Sequence, residues 1–402
     1  MKMIKSLFYC IILGLPIFIS AQKLPTLKTN VSTLSIKEGN SLYKNIWNID
    51  PQIKLDTFFT NAFKVKQNIT FYSDIDSLSF VVKPNKKYNF VVLLSNKQKV
   101  NTQINTEQKH NPSLRAKLKY INTKNPYSIN DTIKFQIEND NRVYFWGSIN
   151  GSDSLKILFD LNAGINVISK QALEKVNVKI DSKEKNVGSD GISYLDISNE
   201  NKLKIGALVW DKIPLLVVPY EKRKFDAVFG WPSLDEKIFE IDYNNNIITI
   251  RKNIPETLLG YSKLPVKFIN GNPFVKCAFI INGKVVEAFF GFDTGSNGEI
   301  DISQNFAAKN NLNGLMKQTG MATTTGSSGS KYTEKIVELP ILKIGDFELY
   351  NVPLGIYDKD PDGVVQNEII GNNILKRFNV IFDLQNSDIY IKPNHLYYSP
   401  LE

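Results

Sequence analysis

PFVKCAFIINGKVVEAFFGFDTGS (273–296) alternates apolar and polar residues up to Asn282-Gly283, resumes as a second apolar run, and stops at Asp293. Asn-Gly between two such runs is a strong hairpin signal, because both residues accept the positive φ of a type I′ turn. The segment therefore reads as strand, tight turn, strand. Its carboxylate stands where a buried strand enters Thr294-Gly295-Ser296, a costly position unless something uses the charge. RVYFWGSINGSDSLKILFDLNAG (142–164) has the same order: strand, Asn150-Gly151, strand, Asp160.

The correspondence continues downstream. LKIGALVWDKIP (203–214) aligns without a gap on LKIGDFELYNVP (342–353), and AVFGWPSL (227–234) on IIGNNIL (369–375). FEIDYNNNIITIRKN (239–253) aligns on NVIFDLQNSDIYIKPN (379–394). The offset grows only from 132 at Asn150/Asn282 to 141 at Gly230/Gly371. A repeat of this length sets the architecture: two β-rich lobes, residues 142–261 and 262–402. Within each, Asp242 and Asp383 precede a hairpin turn and read as turn acids.

Ahead of the repeat, ITFYS (69–73), SLSFVV (77–82) and YNFVVLL (88–94) are short strands, with PNKK (84–87) as a turn. Residues 22–100 thus read as a small β-sandwich-like N-terminal module. Residues 101–141 open with a long polar stretch poor in apolar pattern, which reads as a linker. Lys2 and Lys5 precede an apolar stretch from Leu7 to Ser20, and Ser20-Ala21 offers small residues for cleavage. Residues 1–21 therefore read as a signal peptide, too short for a stable membrane span, which implies export to a periplasmic or extracellular space.

Several chemistries are disfavoured by composition. The net charge of +9, or +7 without Lys2 and Lys5, is spread among acids and forms no basic patch, so no nucleic-acid partner is expected. His110 and His395 are the only histidines, and neither sits at metal-ligand spacing from a second donor, so neither a metal site nor a Ser-His-Asp triad is expected. Without the first 21 residues Cys277 is the single cysteine; no disulfide is available, and its alternating strand makes it a small core residue.

Two repeats that each end a strand on an aspartate suggest a pseudo-twofold pair in which the carboxylates meet. Two carboxylates about 3 Å apart cannot both ionise cheaply and share a proton. The ionised member can take a proton from water while the protonated one polarises a carbonyl, a route to peptide hydrolysis without cofactor or covalent intermediate.

FFGFDTGSNG (289–298) resembles the Asp-Thr-Gly-Ser active-site loop of aspartic proteases, and Val228-Phe229-Gly230 and Ile369-Ile370-Gly371 resemble that family's companion motif. The two-lobe order is similar to that of pepsin-like and bacterial retropepsin-like proteins. The resemblance implies a mainly β fold with a two-lobed, aspartic-protease-like β-barrel pair behind the N-terminal module. It further implies a monomeric endopeptidase acting on polypeptides, with Asp293 and Asp160 catalytic. Thr294 would make cross-loop hydrogen bonds and Gly295 would let the backbone approach the carboxylate. Ser296 would donate to Asp293, with Gly230 and Gly371 in support. NVGSDGISY (186–194) and TTTGSSGSKY (323–332) match the family's flap hairpins, giving Gly188, Gly191, Tyr194, Gly326, Ser327 and Gly329 as substrate cover.

The first lobe departs from the pattern. Asp160-Leu161-Asn162 stands where the family has Asp-Thr-Gly, so the threonine hydroxyl and the glycine are missing. Asn162 is expected to replace the glycine at positive φ. Two functions follow: an active endopeptidase, or a catalytically impaired pseudoprotease that binds peptide segments between the lobes.

Overall fold

The computed structural model describes residues 24–39, 41–49, 51, 55–60, 63, 65–107, 119–188, 191–220, 224–235, 237–269, 272–326, 331–359, 368–384, 386 and 388–401. The expected signal peptide, His110, Ser327 and Gly329 lie outside these residues. The molecule is mainly β, and among the described residues no helix is long and apolar enough to cross a membrane.

Near the N-terminus, two four-stranded sheets share one core. One sheet runs in the order Thr26–Thr29, Lys87–Leu94, Lys99–Asn105, Asp56–Phe59; the other runs Ser41–Asn48, Thr33–Glu38, Gln67–Tyr72, Ser77–Val82. Period-2 alternation turns Leu27, Leu34, Ile36, Ile69, Phe71, Phe90 and Val92 inward, and all seven are fully buried. The Phe71 ring meets Phe58 edge-on at 5.4 Å and Phe90 at 5.0 Å.

This module is anchored to the second repeat by a buried cation. Lys267, 1% exposed, holds its Nζ 3.9 Å from Glu38 Oε1 and 4.6 Å above the Phe58 ring. Burial drives the lysine pKa down while the Glu38 charge opposes the shift. Lys267→Met would remove the buried positive charge opposite Glu38, and breaking a buried pair from one side costs about 3–5 kcal/mol. Denaturant unfolding should show that loss, with most of it recovered in Lys267→Met/Glu38→Leu. Equal losses in the single and double variants would contradict the anchor.

In the second repeat six strands close into a barrel. Asn272–Ile281 pairs with Lys284–Asp293, then follow Ile369–Gly371, Ile300–Ile302, Phe347–Tyr357 and Lys331–Ile344, which returns to Asn272–Ile281. Asn282 and Gly283 join the first two strands with φ of 50° and 78°, as the Asn-Gly signal requires. The first repeat takes the same succession of neighbours: Val143–Ile149, Leu155–Asp160, Ala227–Gly230, Asn166–Ser169, Leu208–Val218, Gly191–Ile205. Asn150 and Gly151 again turn with positive φ. Cys277 is buried in the common apolar core.

The repeats are joined by a run of six strands. Asn130–Lys134, Ile247–Arg251, Ile238–Asp242, Phe378–Asp383, Asp388–Pro393 and Ser262–Ile269 are successive neighbours. At its centre Glu240 lies opposite Ile381, its own counterpart at the offset of Gly230/Gly371, so a local twofold passes between them. Phe239 stacks on Phe382 at 4.6 Å beside that axis. Asp242 and Asp383 accept backbone amides of Asn244 and Asn386 and cap the two turns, as expected of turn acids.

The linker expected over residues 101–141 is corrected. Lys99–Asn105 belongs to the N-terminal module, Lys119–Asn122 pairs with Leu208–Val218, and Asn130–Lys134 opens the six-strand run. Residues 108–118 lie outside the described ones. The polar stretch conceals a short alternation, Asp131, Ile133 and Phe135, all buried. The Asp131 carboxylate is satisfied by Tyr120 Oη and Asn122 Nδ2. The repeat thus starts at Asn130, whose strand occupies the place that Ser262–Ile269 takes in the second copy.

Candidate active site

Asp160 and Asp293 each end a strand that runs parallel to the companion motif. Asp160 lies opposite Gly230 and Asp293 opposite Gly371. Both glycines are required by close approach. A Cβ on Gly230 would come within 2.6 Å of the Ala163 carbonyl oxygen, and one on Gly371 would overlap that of Gly298.

The turns after the aspartates cradle their carboxylates in the same way. Asn162 N and Ala163 N donate to Asp160 Oδ1 at 2.8 and 3.0 Å; Gly295 N and Ser296 N donate to Asp293 Oδ1, both at 2.9 Å. The two carboxyls lie side by side, and Asn162 bonds both, Asp160 through its backbone N–H and Asp293 through its side chain. Gly295 has to be glycine, since a Cβ there would stand 2.5 Å from Asp160 Oδ2.

Thr294 ties the loops together. Fully buried, its Oγ1 accepts from Leu161 N at 3.0 Å and donates to the Phe159 carbonyl at 2.8 Å. Leu161, 1% exposed, packs into the apolar core and returns no such bond. The expected half of the cross-loop arrangement is therefore present and its mate is replaced by packing.

Two expectations about these loops are corrected. Asn162 is absent from the residues with positive φ, so the turn does not need a glycine-like backbone there. Its side chain is what differs, with Nδ2 3.3 Å from Asp293 Oδ2. For Ser296, it is the backbone amide that donates to Asp293; the Oγ instead accepts from Gly298 N at 3.3 Å.

Each loop is also held by a side chain of the other repeat. Arg142 Nε donates to the Gly295 carbonyl at 2.6 Å, and Asn272 Nδ2 donates to that of Asn162 at 3.3 Å. Trp231 Nε1 fixes Asn272 Oδ1 at 2.9 Å. Neither Arg142 nor Asn272 stood out in the sequence. The signal was position alone: Asn272 opens, and Arg142 immediately precedes, the first strand of the hairpin that leads to an aspartate.

Burial first, and then the charge of Asp293, pushes the Asp160 carboxyl up to about 8. Burial also raises Asp293, opposed by the amides of Ser296 and Gly295, the Asn162 side chain and the Arg142 charge. Asp293 thus has the better-stabilised anion of the two.

A second carboxyl pair, the half-buried Asp301 and the buried Glu334, lies near Asp293. Burial, then the Glu334 charge, then that of Asp293 raise Asp301 well above the carboxylate range; burial raises Glu334. Gly355 leaves room for both, since a Cβ there would come within 2.6 Å of Glu334 Oε2 and 2.7 Å of Asp301 Oδ1. Carboxyls raised on folding contribute stability below their unfolded pKa, near 4, and lose it as pH rises through the folded values. Glu334→Gln should therefore raise the Tm at pH 8 and gain much less at pH 4. A shift of equal size at both pH values would contradict a carboxyl raised on folding at Glu334.

The flap positions are partly described. Gly188 pairs with Gly191 at the end of the hairpin Ser182–Gly188/Gly191–Ile205, and Gly191 needs its φ of 127°. Tyr194 on that hairpin is 68% exposed, outside the hydrogen bonds around the aspartates. Gly326 follows Gln318–Thr325, whose partner Lys331–Ile344 carries Glu334.

A family model described as aspartyl protease matches residues 278–374. The match contains Asp293, Thr294, Gly295 and Gly371, and stops short of the first repeat. No curated protein matches the chain.

Proposed function

We propose that this chain is an exported aspartic endopeptidase whose two repeats form a pepsin-like, two-lobed pair of barrels behind the N-terminal β module. The observation that carries the reading is the meeting of Asp160 and Asp293 in matching amide cradles, one from each repeat. In it, ionised Asp293 takes a proton from a water that attacks the scissile carbonyl carbon. Asp160 gives its proton to the carbonyl oxygen, forming a neutral gem-diol. Collapse returns the hydroxyl proton to one aspartate while the other protonates the leaving nitrogen, so the carboxyls finish with their single shared proton. The hairpins bearing Gly188, Gly191, Tyr194 and Gly326 would close over an extended polypeptide. The functional unit is a monomer, since both aspartates come from one chain.

A second reading, peptide binding without turnover, is favoured by Leu161, which leaves one cross-loop hydroxyl bridge unmade. Incubation of the purified protein with an unfolded polypeptide from pH 3 to 7 separates the two. The first reading predicts fragments, unaffected by a chelator and suppressed by a peptide bearing a hydroxyl in place of the scissile carbonyl. Binding of that peptide with no fragments at any pH would leave the second.

A further inference from the structure

Asn162 is the loop residue whose side chain reaches the aspartate of the other repeat. Its backbone N–H donates to Asp160 Oδ1 at 2.8 Å, and its Nδ2 donates to Asp293 Oδ2 at 3.3 Å. Its counterpart in the second loop, Gly295, has no side chain to return the bond to Asp160. Asp293 therefore receives three donors and Asp160 two.

The surroundings are shaped to hold this amide. Gly291 stands where the first repeat has Leu158, and a Cβ there would come within 3.2 Å of Asn162 Oδ1, against the Phe274 ring at 3.3 Å. On the other side the Asn162 carbonyl is fixed through Asn272 to the Trp231 indole. The residue that breaks the twofold pattern is thus seated by a glycine and an amide–indole relay drawn from both repeats.

We propose that Asn162 is a positioning residue that makes the two aspartates inequivalent, holding Asp293 as the anion and leaving the proton on Asp160. The proposal rests on the proposed peptidase reading for its kinetic consequence, but the proton placement stands on the geometry. The symmetric cradles alone would leave the choice of base to the surroundings. Arg142 adds a positive charge near Asp293; Asp301, Glu334 and Glu299 are the other titratable groups near it.

Two variants test it without removing an aspartate. Asn162→Ala deletes the amide but keeps the loop's backbone donors; Gly291→Ala crowds the amide and leaves Asn162 in place. A charge-assisted bond lost from Asp293 should move the acid limb of the kcat/KM–pH profile up by about one unit, a roughly tenfold loss at low pH. The alkaline limb, set by Asp160, should move less, and Gly291→Ala should shift the acid limb in the same direction. A uniform rate loss with unmoved limbs would assign Asn162 a purely structural role and overturn the proposal. If the wild type hydrolyses nothing, the peptidase reading fails separately. The ¹³C carboxyl titration of Asp293 then still decides: a higher Asp293 midpoint in Asn162→Ala supports the proposal, and an unchanged one overturns it.

Discussion

Replacement of Asp160 by asparagine is expected to lower peptide hydrolysis by at least about 10³-fold, within the range of losing a positioned acid or base. The substitution is isosteric, its Oδ1 can still accept from Asn162 N and Ala163 N, and its amide can still donate toward Asp293. What it removes is the transferable proton. Asp293→Asn removes the proposed base and should cost as much, but it places an amide opposite Asn162 Nδ2, two donors facing each other. The Asp160 variant is therefore the cleaner one, and it carries a second signature. The raised Asp160 pKa means that its carboxyl contributes stability below pH 4 that is lost as pH rises toward 8. Asp160→Asn should accordingly be more stable than wild type at neutral pH while inactive. Unimpaired cleavage by either variant would rule out the two-aspartate mechanism.

Thr294→Val is the second large effect. Valine fills the same buried space, but it leaves Phe159 O and Leu161 N without the hydroxyl that now serves both. Orphaning a buried backbone group costs about 1–3 kcal/mol, so the pair should lower the unfolding free energy by about 2–6 kcal/mol. These two groups flank Asp160, so loosening them also displaces a carboxyl whose contact with Asp293 tolerates little movement. A rate loss of about 10²-fold beyond the stability effect is expected. Thr294→Ser keeps the hydroxyl and should retain most of both. Denaturant unfolding read beside kcat at a temperature where every variant is folded separates the two effects. Equal stability of the valine and serine variants would show that the bridge contributes nothing.

The juxtaposition of Asp160 with Asp293 is legible in the sequence because the signals around it are local and occur twice. Asn150-Gly151 and Asn282-Gly283 fix two hairpins, the hairpins fix where each strand ends, and Gly230 and Gly371 mark the neighbouring strand. The residues that clamp the loops are not legible. Arg142 and Asn272 act across the twofold, on carbonyls 153 and 110 positions away. Nothing within either repeat shows that partner. Residues 101–141 read as a linker because Asp131, Ile133 and Phe135 make too short an alternation to stand out from polar surroundings. Their burial depends on a sheet completed by residues more than a hundred positions later. Asn162 was legible as a departure, but its consequence needed Gly291, whose missing side chain reads locally as an ordinary strand glycine.

The central claim, that two aspartates from two repeats act as one proton-sharing unit, is tested most directly by following their ¹³C carboxyl resonances from pH 3 to 9 in wild type and Asp160→Asn. The account predicts two linked ionisations in the wild type, Asp293 first and Asp160 last at about 8. It also predicts a single Asp293 step, displaced from its wild-type position, in the variant. Two independent titrations near pH 4, with Asp293 indifferent to the residue at 160, would contradict it.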